Sequence, residues 1–287
     1  MIDSRYHQQL AQVFSSATIN ALCHGEENPT LDYILNESGF SKYIPDDTSV
    51  GAVFEAIYAY LVKYYRNEYI YKNAIANKIL IGRHSLKTSH LLSEFRVGSA
   101  KADLVILNGT SHVYEIKTEY DSTDRLANQI ENYLRAFDRI HIVAHEKHLE
   151  KAREIVGDKV GLMVLTEKYT IRTIREAVSN KRNVAPEIIF DSLRRSEYCE
   201  ILKAEFGFVP DVPNTRIFLE CKKLFAKLDP EGVHDRLVTM LKNRGVRNPV
   251  AHEINALPQS LAMALLSYPI QPKQIQPLKD SLQSIYH

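Results

Sequence analysis

Residues 112–120, HVYEIKTEY, carry two acidic residues and a lysine in a stretch that is otherwise typical of a buried β-strand. Side chains alternate along a strand, so Glu115, Lys117 and Glu119 share one face and the residues between them share the other. Such a row of charges on a half-exposed strand is most often a solvated surface. The alternative is a functional site that binds or stabilises charged groups.

A second acid, Asp103, lies on the preceding predicted strand, and the length of the hairpin loop decides whether it joins Glu115. A three-residue loop made of residues 108–110 sets Asp103 opposite Glu115, and a five-residue loop sets it opposite Lys117. A loop of two or four residues turns Asp103 to the other face, because a slip of one residue reverses a strand's side chains. The Asn-Gly pair in the loop favours the three-residue form.

Two carboxylates directly opposed across a hairpin repel each other and cost stability. A divalent cation compensates that repulsion, and Mg²⁺ prefers carboxylate oxygens while keeping several waters. Lys117, roughly 6.5 to 7 Å further along the strand, could hold a water beside the metal and stabilise charge on a phosphate. The three residue types therefore suit phosphoryl chemistry.

The spacing of apolar residues around this strand predicts both helices and strands. Apolar residues three and four apart predict a helix or helix pair from residue 49 to about Gly82. Three short strands joined by tight turns follow, and strands then alternate with helices, which predicts parallel additions to the sheet. The predicted strands cover residues 90–98, 101–108, 112–119, 139–145 and 160–167, and the predicted helices cover residues 122–137, with Ser122 or Thr123 as N-cap, and 146–156.

The two ends of the chain differ from this middle part. Residues 1–50 are polar and irregular with short helical patterns, and strand signals fade beyond about Thr166, where helical patterns are cut by prolines. We therefore predict an α/β fold with an αβββαβ core and a mixed sheet, followed by a helical C-terminal region. The predicted domains are a helical or irregular N-terminal extension at 1–50, the α/β domain at 51–170 and a helical domain at 171–287.

Composition narrows the class of protein. With 45% hydrophobic and 25% charged residues in 287, the chain is typical of a folded domain protein. A net charge of +1 means that any nucleic-acid contact must come from a local basic patch. Cys23, Cys199 and Cys221 lack the spacing of a disulfide framework or a zinc site. We find no signal peptide and no long apolar run, so we expect a cytoplasmic protein without membrane contact.

Asp103 followed by Glu115, Ile116 and Lys117 resembles the D…ExK signature of the PD-(D/E)XK nuclease superfamily. More narrowly, residues 93–148 resemble the bacterial sce7726 family, and the resemblance covers roughly residues 65–205. It implies a restriction-endonuclease-like core and hydrolysis of DNA phosphodiester bonds with Mg²⁺ or Mn²⁺. Asp103 and Glu115 would bind the metal with the Ile116 carbonyl, and Lys117 would orient the attacking water.

The same resemblance implies further members of the site. An acid on the helix before the sheet often joins it, and Glu68 occupies that place, with Glu55 as a weaker candidate. Gln129 and Tyr133 match a QxxxY motif on the helix after the ExK strand, and a spacing of four sets them on one helical face. They are implied to contact DNA or to order the metal site.

Rival interpretations remain open. The chain could be a catalytically inactive nucleic-acid-binding or protein-interaction module on the same fold, because a fold does not guarantee an activity. A nuclease acting on RNA, or within a phage or host-defence complex, is also compatible with the sequence, as is a homodimer. Glu94, on the first predicted strand, could point toward the site, but a solvated acid is the favoured interpretation. A zinc site at His141, His145 and His148 is disfavoured, since these residues lack the spacing of helical metal ligands.

Overall fold

The computed structural model describes residues 2–83, 86, 88–244 and 249–286. These residues form an α/β structure in which a mixed sheet lies between two helical layers. The predicted α/β class is therefore confirmed. Of the described residues, none belongs to a helix with the length and apolarity needed to cross a membrane.

Six strands form the sheet in sequence order, from β1 at one edge to β6 at the other. β1, β2 and β3 form an antiparallel meander, β4 and β5 add in parallel to β3, and β6 returns antiparallel to β5. The predicted meander and the predicted parallel additions are both confirmed. The strands are β1 His90–Val97, β2 Ala100–Leu107, β3 Ser111–Lys117, β4 Arg139–Ala144, β5 Gly161–Leu165 and β6 Ile171–Arg175.

Five α-helices precede the sheet in the part of the chain that the structure describes. The last two, α4 and α5, are the predicted helix pair, and a π-helical turn at Ala76–Ile81 continues α5 up to Gly82. The side chains of Ser49 and Asn67 accept hydrogen bonds from backbone N–H groups in the first turns of α4 and α5, as N-caps do. The five helices are α1 His7–Ala11, α2 Ser16–His24, α3 Pro29–Ser38, α4 Val50–Tyr64 and α5 Glu68–Ile75.

Between the strands lie α6 Leu126–Leu134 and α7 Leu149–Ile155. The prediction that Ser122 or Thr123 caps α6 is wrong, because the helix begins only after Arg125. The Asp121 carboxylate accepts hydrogen bonds from the N–H and the hydroxyl of Thr118. These bonds hold the intervening residues in a loop and delay the first helical turn.

β6 corrects the prediction that strand structure ends near Thr166, and it carries the sheet past the proposed boundary at residue 170. Its sequence, IRTIR, combines two arginines with three β-branched residues, as suits an edge strand. The helices that follow are α8 Pro186–Asp191, α9 Arg195–Phe206, α10 Asn214–Phe225, α11 Pro230–Arg244, α12 Ala262–Ser267 and α13 Ile275–Gln283.

Two hydrophobic cores flank the sheet. The first joins α1 to α5 with α12 and α13, so that residues as distant as Ile2 and Leu282 share one core. The second joins α6 and α7 with α8 to α11. The N-terminal segment is thus packed beneath α4 and α5 together with the end of the chain.

Candidate active site

The hairpin between β2 and β3 has the three-residue loop that the candidate site requires. Leu107 pairs with Ser111 and Leu104 pairs with Tyr114, which confirms the predicted loop. Continuing this register sets Asp103 opposite Glu115. The Asp103 carboxylate accepts a hydrogen bond of 2.7 Å from the backbone N–H of Ile116.

Two charged residues of β3 and two polar residues of α6 form a hydrogen-bonded set that we call the inner group. Its members are Glu115 and Lys117 on β3 and Gln129 and Tyr133 on α6. The Lys117 ammonium donates to Glu115 Oε1 at 2.8 Å and to the Gln129 side-chain oxygen at 3.1 Å. The Tyr133 hydroxyl is 2.7 Å from Glu115 Oε2. All four residues were candidates from the sequence, and hydrogen bonds join them directly in the structure.

The inner group is almost closed to solvent. Glu115 is 1% exposed, Lys117 is 6% exposed and Tyr133 is fully buried. An unpaired buried carboxylate would cost several kcal/mol, so the Lys117 ammonium is its necessary counter-charge. Burial, together with the negative charge of Glu115, raises the pKa of Tyr133 and keeps its hydroxyl protonated as a donor.

On the other side of Asp103 lies an outer group: Glu68 on α5, Glu94 on β1, Lys72 and Lys101. Continuing the pairing of β1 with β2 sets Glu94 opposite Asp103. Carboxylate oxygens of Glu68, Glu94 and Asp103 lie within 4.8 Å of one another, the one such three-residue group found among the described His, Cys, Asp and Glu side chains. Both glutamates are exposed and Asp103 is half-buried.

Two lysines offset the charge of the outer group. The Lys72 ammonium is 2.6 Å from Glu68 Oε1 and also contacts Glu94 Oε1. Lys101 contacts the second oxygen of Glu94. Burial raises the pKa of Glu94 less than these lysine contacts lower it, so the carboxylate stays ionised.

A backbone irregularity sits at Glu94, whose φ is +57° within a continuous strand. This left-handed conformation is unfavourable for a residue with a Cβ. Leu92 and Phe95 both pack toward the second core, although strict alternation would turn them to opposite faces. The chain therefore changes face at Glu94, beside Asp103.

Asp103 lies between the two groups. Burial, followed by the negative charge of Glu115, raises its pKa to about 7, although the Ile116 hydrogen bond acts in the opposite direction. A carboxyl with this environment is poised to lose its proton when a cation arrives.

The donor set fits a hard divalent cation. Asp103 offers carboxylate oxygens close to those of Glu68 and Glu94, and it lies opposite Glu115 in the hairpin register. Hard cations prefer such oxygen ligands. The Ile116 N–H points to Asp103, and a strand residue directs its N–H and C=O toward the same neighbouring strand, so its carbonyl also faces β2. The ammonium of Lys72 lies against two of the acids near Asp103, Glu68 and Glu94.

Other residues considered from the sequence lie away from the site. Glu55 accepts a hydrogen bond from the N–H of Ser260, far along the chain. Glu119 follows the end of β3. His141 is buried and stacks on Tyr114 at a ring distance of 4.8 Å, and burial lowers its pKa to about 3.

Sequence reasoning missed Glu94 as a member of the site and did not consider Lys72. A signal existed for the lysine, because Glu68 and Lys72 are four residues apart on one helix and so share a face. Glu94 was also one strand away from Asp103 in a countable register. The left-handed backbone conformation of Glu94 could not be predicted from the sequence, since glutamate rarely adopts it.

With this geometry established, the chain can be compared with known proteins. A family model described as Bacteriophage P4 protein cII matches residues 62–257, which is more than half of the chain. The chain belongs to the bacteriophage P4 protein cII family. The match takes in α5, the whole sheet and α6, so every residue of the inner and outer groups lies inside it.

Protein cII of Enterobacteria phage P4 is 25% identical to this cII-family chain over 151 residues. That alignment covers 51% of the chain and 55% of the phage protein, so the chain spans about half the length of this curated relative. The SPO1766 protein of unknown function from Silicibacter pomeroyi aligns with 47% of the chain and 88% of its own, at 15% identity and a TM-score of 0.31. A structural likeness this low carries no argument.

Proposed function

We propose that this protein is a metal-dependent nuclease that hydrolyses DNA phosphodiester bonds. In this proposal it has a restriction-endonuclease-like core of the PD-(D/E)XK type and is related to the sce7726 family. The single observation that carries the proposal is the register of the β2–β3 hairpin, which sets Asp103 opposite Glu115 with Lys117 bonded beside them. Asp103, Glu115 and the Ile116 carbonyl are the proposed ligands of Mg²⁺ or Mn²⁺. Glu68 is the proposed auxiliary ligand.

When bound, the cation supplies Lewis-acid charge and lowers the pKa of a coordinated water. Lys117 contributes a fixed positive charge next to Glu115, where it orients the water and stabilises negative charge on the phosphate. Tyr133 and Gln129 hold Glu115 and Lys117 in a single geometry. Phosphoryl transfer is mostly positioning and electrostatics, so this small set suffices.

One observation favours a second candidate, a catalytically inactive module on the same fold. Both carboxylate oxygens of Glu115 already have donors inside the protein, Lys117 and Tyr133, and the residue is 1% exposed. A set closed in this way could be a structural ion pair that supports binding of nucleic acid or of a protein partner. A phage or defence context and a homodimer remain part of this proposal.

A cleavage assay separates the two candidates. The purified protein is incubated with linear duplex, circular and single-stranded DNA and with RNA, in the presence of Mg²⁺, Mn²⁺ or a chelator. We expect metal-dependent cutting by the wild type and by the control Glu119→Ala, and loss of cutting in Lys117→Ala.

Each other result has a defined meaning. Cutting that survives unchanged in Lys117→Ala contradicts the assignment of the site. Binding of nucleic acid without any cutting favours the inactive module. Cutting of RNA alone retains the chemistry and replaces the substrate.

A further inference from the structure

Lys72 occupies an unusual place in the candidate site. Its ammonium contacts Glu68, four residues earlier on α5, and Glu94 on β1. These are two of the three acids whose oxygens converge within 4.8 Å, and Asp103 is the third. The Lys72 ammonium therefore bridges two of the three carboxylates that meet here.

The burial of Lys72 distinguishes it from an ordinary surface lysine. Its side chain is 13% exposed, whereas that of Lys101, which also contacts Glu94, is 51% exposed. Burial alone would lower the pKa of Lys72, but the charges of Glu68 and Glu94 outweigh it and raise the pKa. Lys72 is therefore a charged group that these carboxylates hold.

A cation and the Lys72 ammonium compete for the same carboxylate oxygens. A divalent ion that binds Asp103 together with Glu68 requires carboxylate lone pairs that the Lys72 ammonium now uses. It would also stand close to that ammonium, and the two positive charges would repel each other. Metal binding and the present position of Lys72 therefore oppose each other.

The side chain of Lys72 borders a cavity into which it can move. A surface cavity of about 380 Å³ adjoins the outer group, and Lys72 and Ser93 line it together with Phe14, Tyr69 and Tyr268. The flexible stem of a lysine can lie along such apolar walls while its ammonium stays in water.

We propose that Lys72 is the resident counter-ion of these carboxylates, and that a divalent cation binds only when the Lys72 ammonium moves from them into the adjoining cavity. This inference rests on the proposed metal-dependent function and adds a residue that positions the acids before metal binds. Lys72 thereby sets how tightly the metal binds, because each binding event includes its displacement.

Titration with Mn²⁺ tests the proposal, with free ion measured by electron paramagnetic resonance. Lys72→Met removes the competing charge, so we expect its Kd for Mn²⁺ to fall about tenfold or more, which corresponds to about 1.4 kcal/mol. Lys101→Met is the matched control, since it removes a lysine from the same glutamate at an exposed position, and we expect a change below about twofold. A Kd for Lys72→Met equal to or weaker than that of the wild type overturns the proposal.

A second measurement uses the wild-type protein and covers the case in which Lys72→Met fails to fold. Acetic anhydride labels lysine amines, and mass spectrometry compares Lys72 with Lys101 in the presence of Mn²⁺ and of a chelator. We expect labelling of Lys72 relative to Lys101 to rise several-fold with Mn²⁺. An unchanged or lower ratio overturns the proposal.

Asp103→Asn separates this inference from the proposed function. If the wild type and Asp103→Asn bind Mn²⁺ equally weakly, the metal site itself is wrong and both proposals fall. If the wild type binds Mn²⁺ through Asp103 and Lys72→Met binds no tighter, only the role of Lys72 falls.

Discussion

The inner and outer groups lie on opposite sides of Asp103, and they differ in how their charges are satisfied. The inner glutamate, Glu115, is buried and receives hydrogen bonds from Lys117 and Tyr133. The outer glutamates, Glu68 and Glu94, are exposed and both contact Lys72, and Glu94 also contacts Lys101. One side of the site is closed to solvent, whereas the other is open to it.

This difference assigns the two sides separate tasks. A buried, fully bonded set keeps its geometry and suits the positioning of a water and a phosphate. An exposed set of carboxylates suits the entry of a cation, because ions must shed waters and reach the site through solvent. Asp103 lies between the two groups, and its carboxyl must lose a proton before it can bind a cation.

The largest expected effect comes from breaking the inner group. We expect Lys117→Met to lower the rate of cleavage by about 10² to 10³ and the free energy of unfolding by about 3–5 kcal/mol, because Glu115 would remain buried without a counter-charge. Cleavage assays and urea denaturation measure the two losses. Lys101→Met, in the outer group, should lose less than about 1 kcal/mol of stability. Equal stability losses in the two variants would contradict the distinction between the groups.

The second prediction concerns pH and Asp103. Its folded pKa of about 7 lies above its unfolded value near 3.9, so the folded protein holds a proton that the unfolded chain has lost. This residue's contribution to stability is therefore present below about pH 4 and is lost as pH rises toward 7. Asp103→Asn should remove that part of the decline. Urea denaturation at several pH values checks it, and identical pH slopes in the two proteins would refute the prediction.

A third comparison uses two buried tyrosines. The Tyr133 hydroxyl bonds to Glu115, whereas the Tyr71 hydroxyl is buried without a hydrogen-bond partner among the described residues. We expect Tyr133→Phe to cost about 1–3 kcal/mol of unfolding free energy, because one Glu115 oxygen loses its donor. Tyr71→Phe should leave the free energy of unfolding unchanged or raise it, because it removes a buried hydroxyl that has no hydrogen-bond partner among the described residues. Thermal and urea unfolding of the pair measure the contrast, and a larger loss in Tyr71→Phe would reverse it.

The smallest effect concerns the backbone at Glu94. Glycine adopts a φ of +57° without the Cβ penalty, so Glu94→Gly should be more stable than Glu94→Ala by about 1 kcal/mol. Both variants lose the same contacts with Lys72 and Lys101, which makes them a matched pair. An Ala variant as stable as the Gly variant would mean that Glu94 carries no backbone strain.

Much of the inner group could be predicted from sequence because it depends on local rules. The Asn-Gly loop determines the hairpin register, and a spacing of four places Gln129 and Tyr133 on one face of α6. These patterns act over short stretches of chain and leave few alternatives.

The outer group depends on longer-range geometry, and there the sequence was less informative. Glu68 was proposed by resemblance, but the approach of Lys72 to Glu94 depends on how α5 packs against β1. The edge strand β6 was missed because it is short and its two arginines are three residues apart, a spacing that also fits one face of a helix. The start of α6 was misplaced because Asp121 bonds to Thr118 and Ser122 accepts from the N–H of Asp124, which holds these residues in a loop before the helix.

The central claim, a divalent cation held at Asp103, is tested most directly by diffraction from crystals soaked in Mn²⁺ at a wavelength that reveals its anomalous signal. The account predicts one strong anomalous peak at coordination distance, roughly 2.0–2.2 Å, from Asp103 and Glu115, with the Lys72 ammonium turned away from Glu68. Asp103→Asn crystals treated in the same way should lack the peak. A wild-type structure without a peak at Asp103, and with Lys72 still bonded to Glu68 and Glu94, would contradict the account.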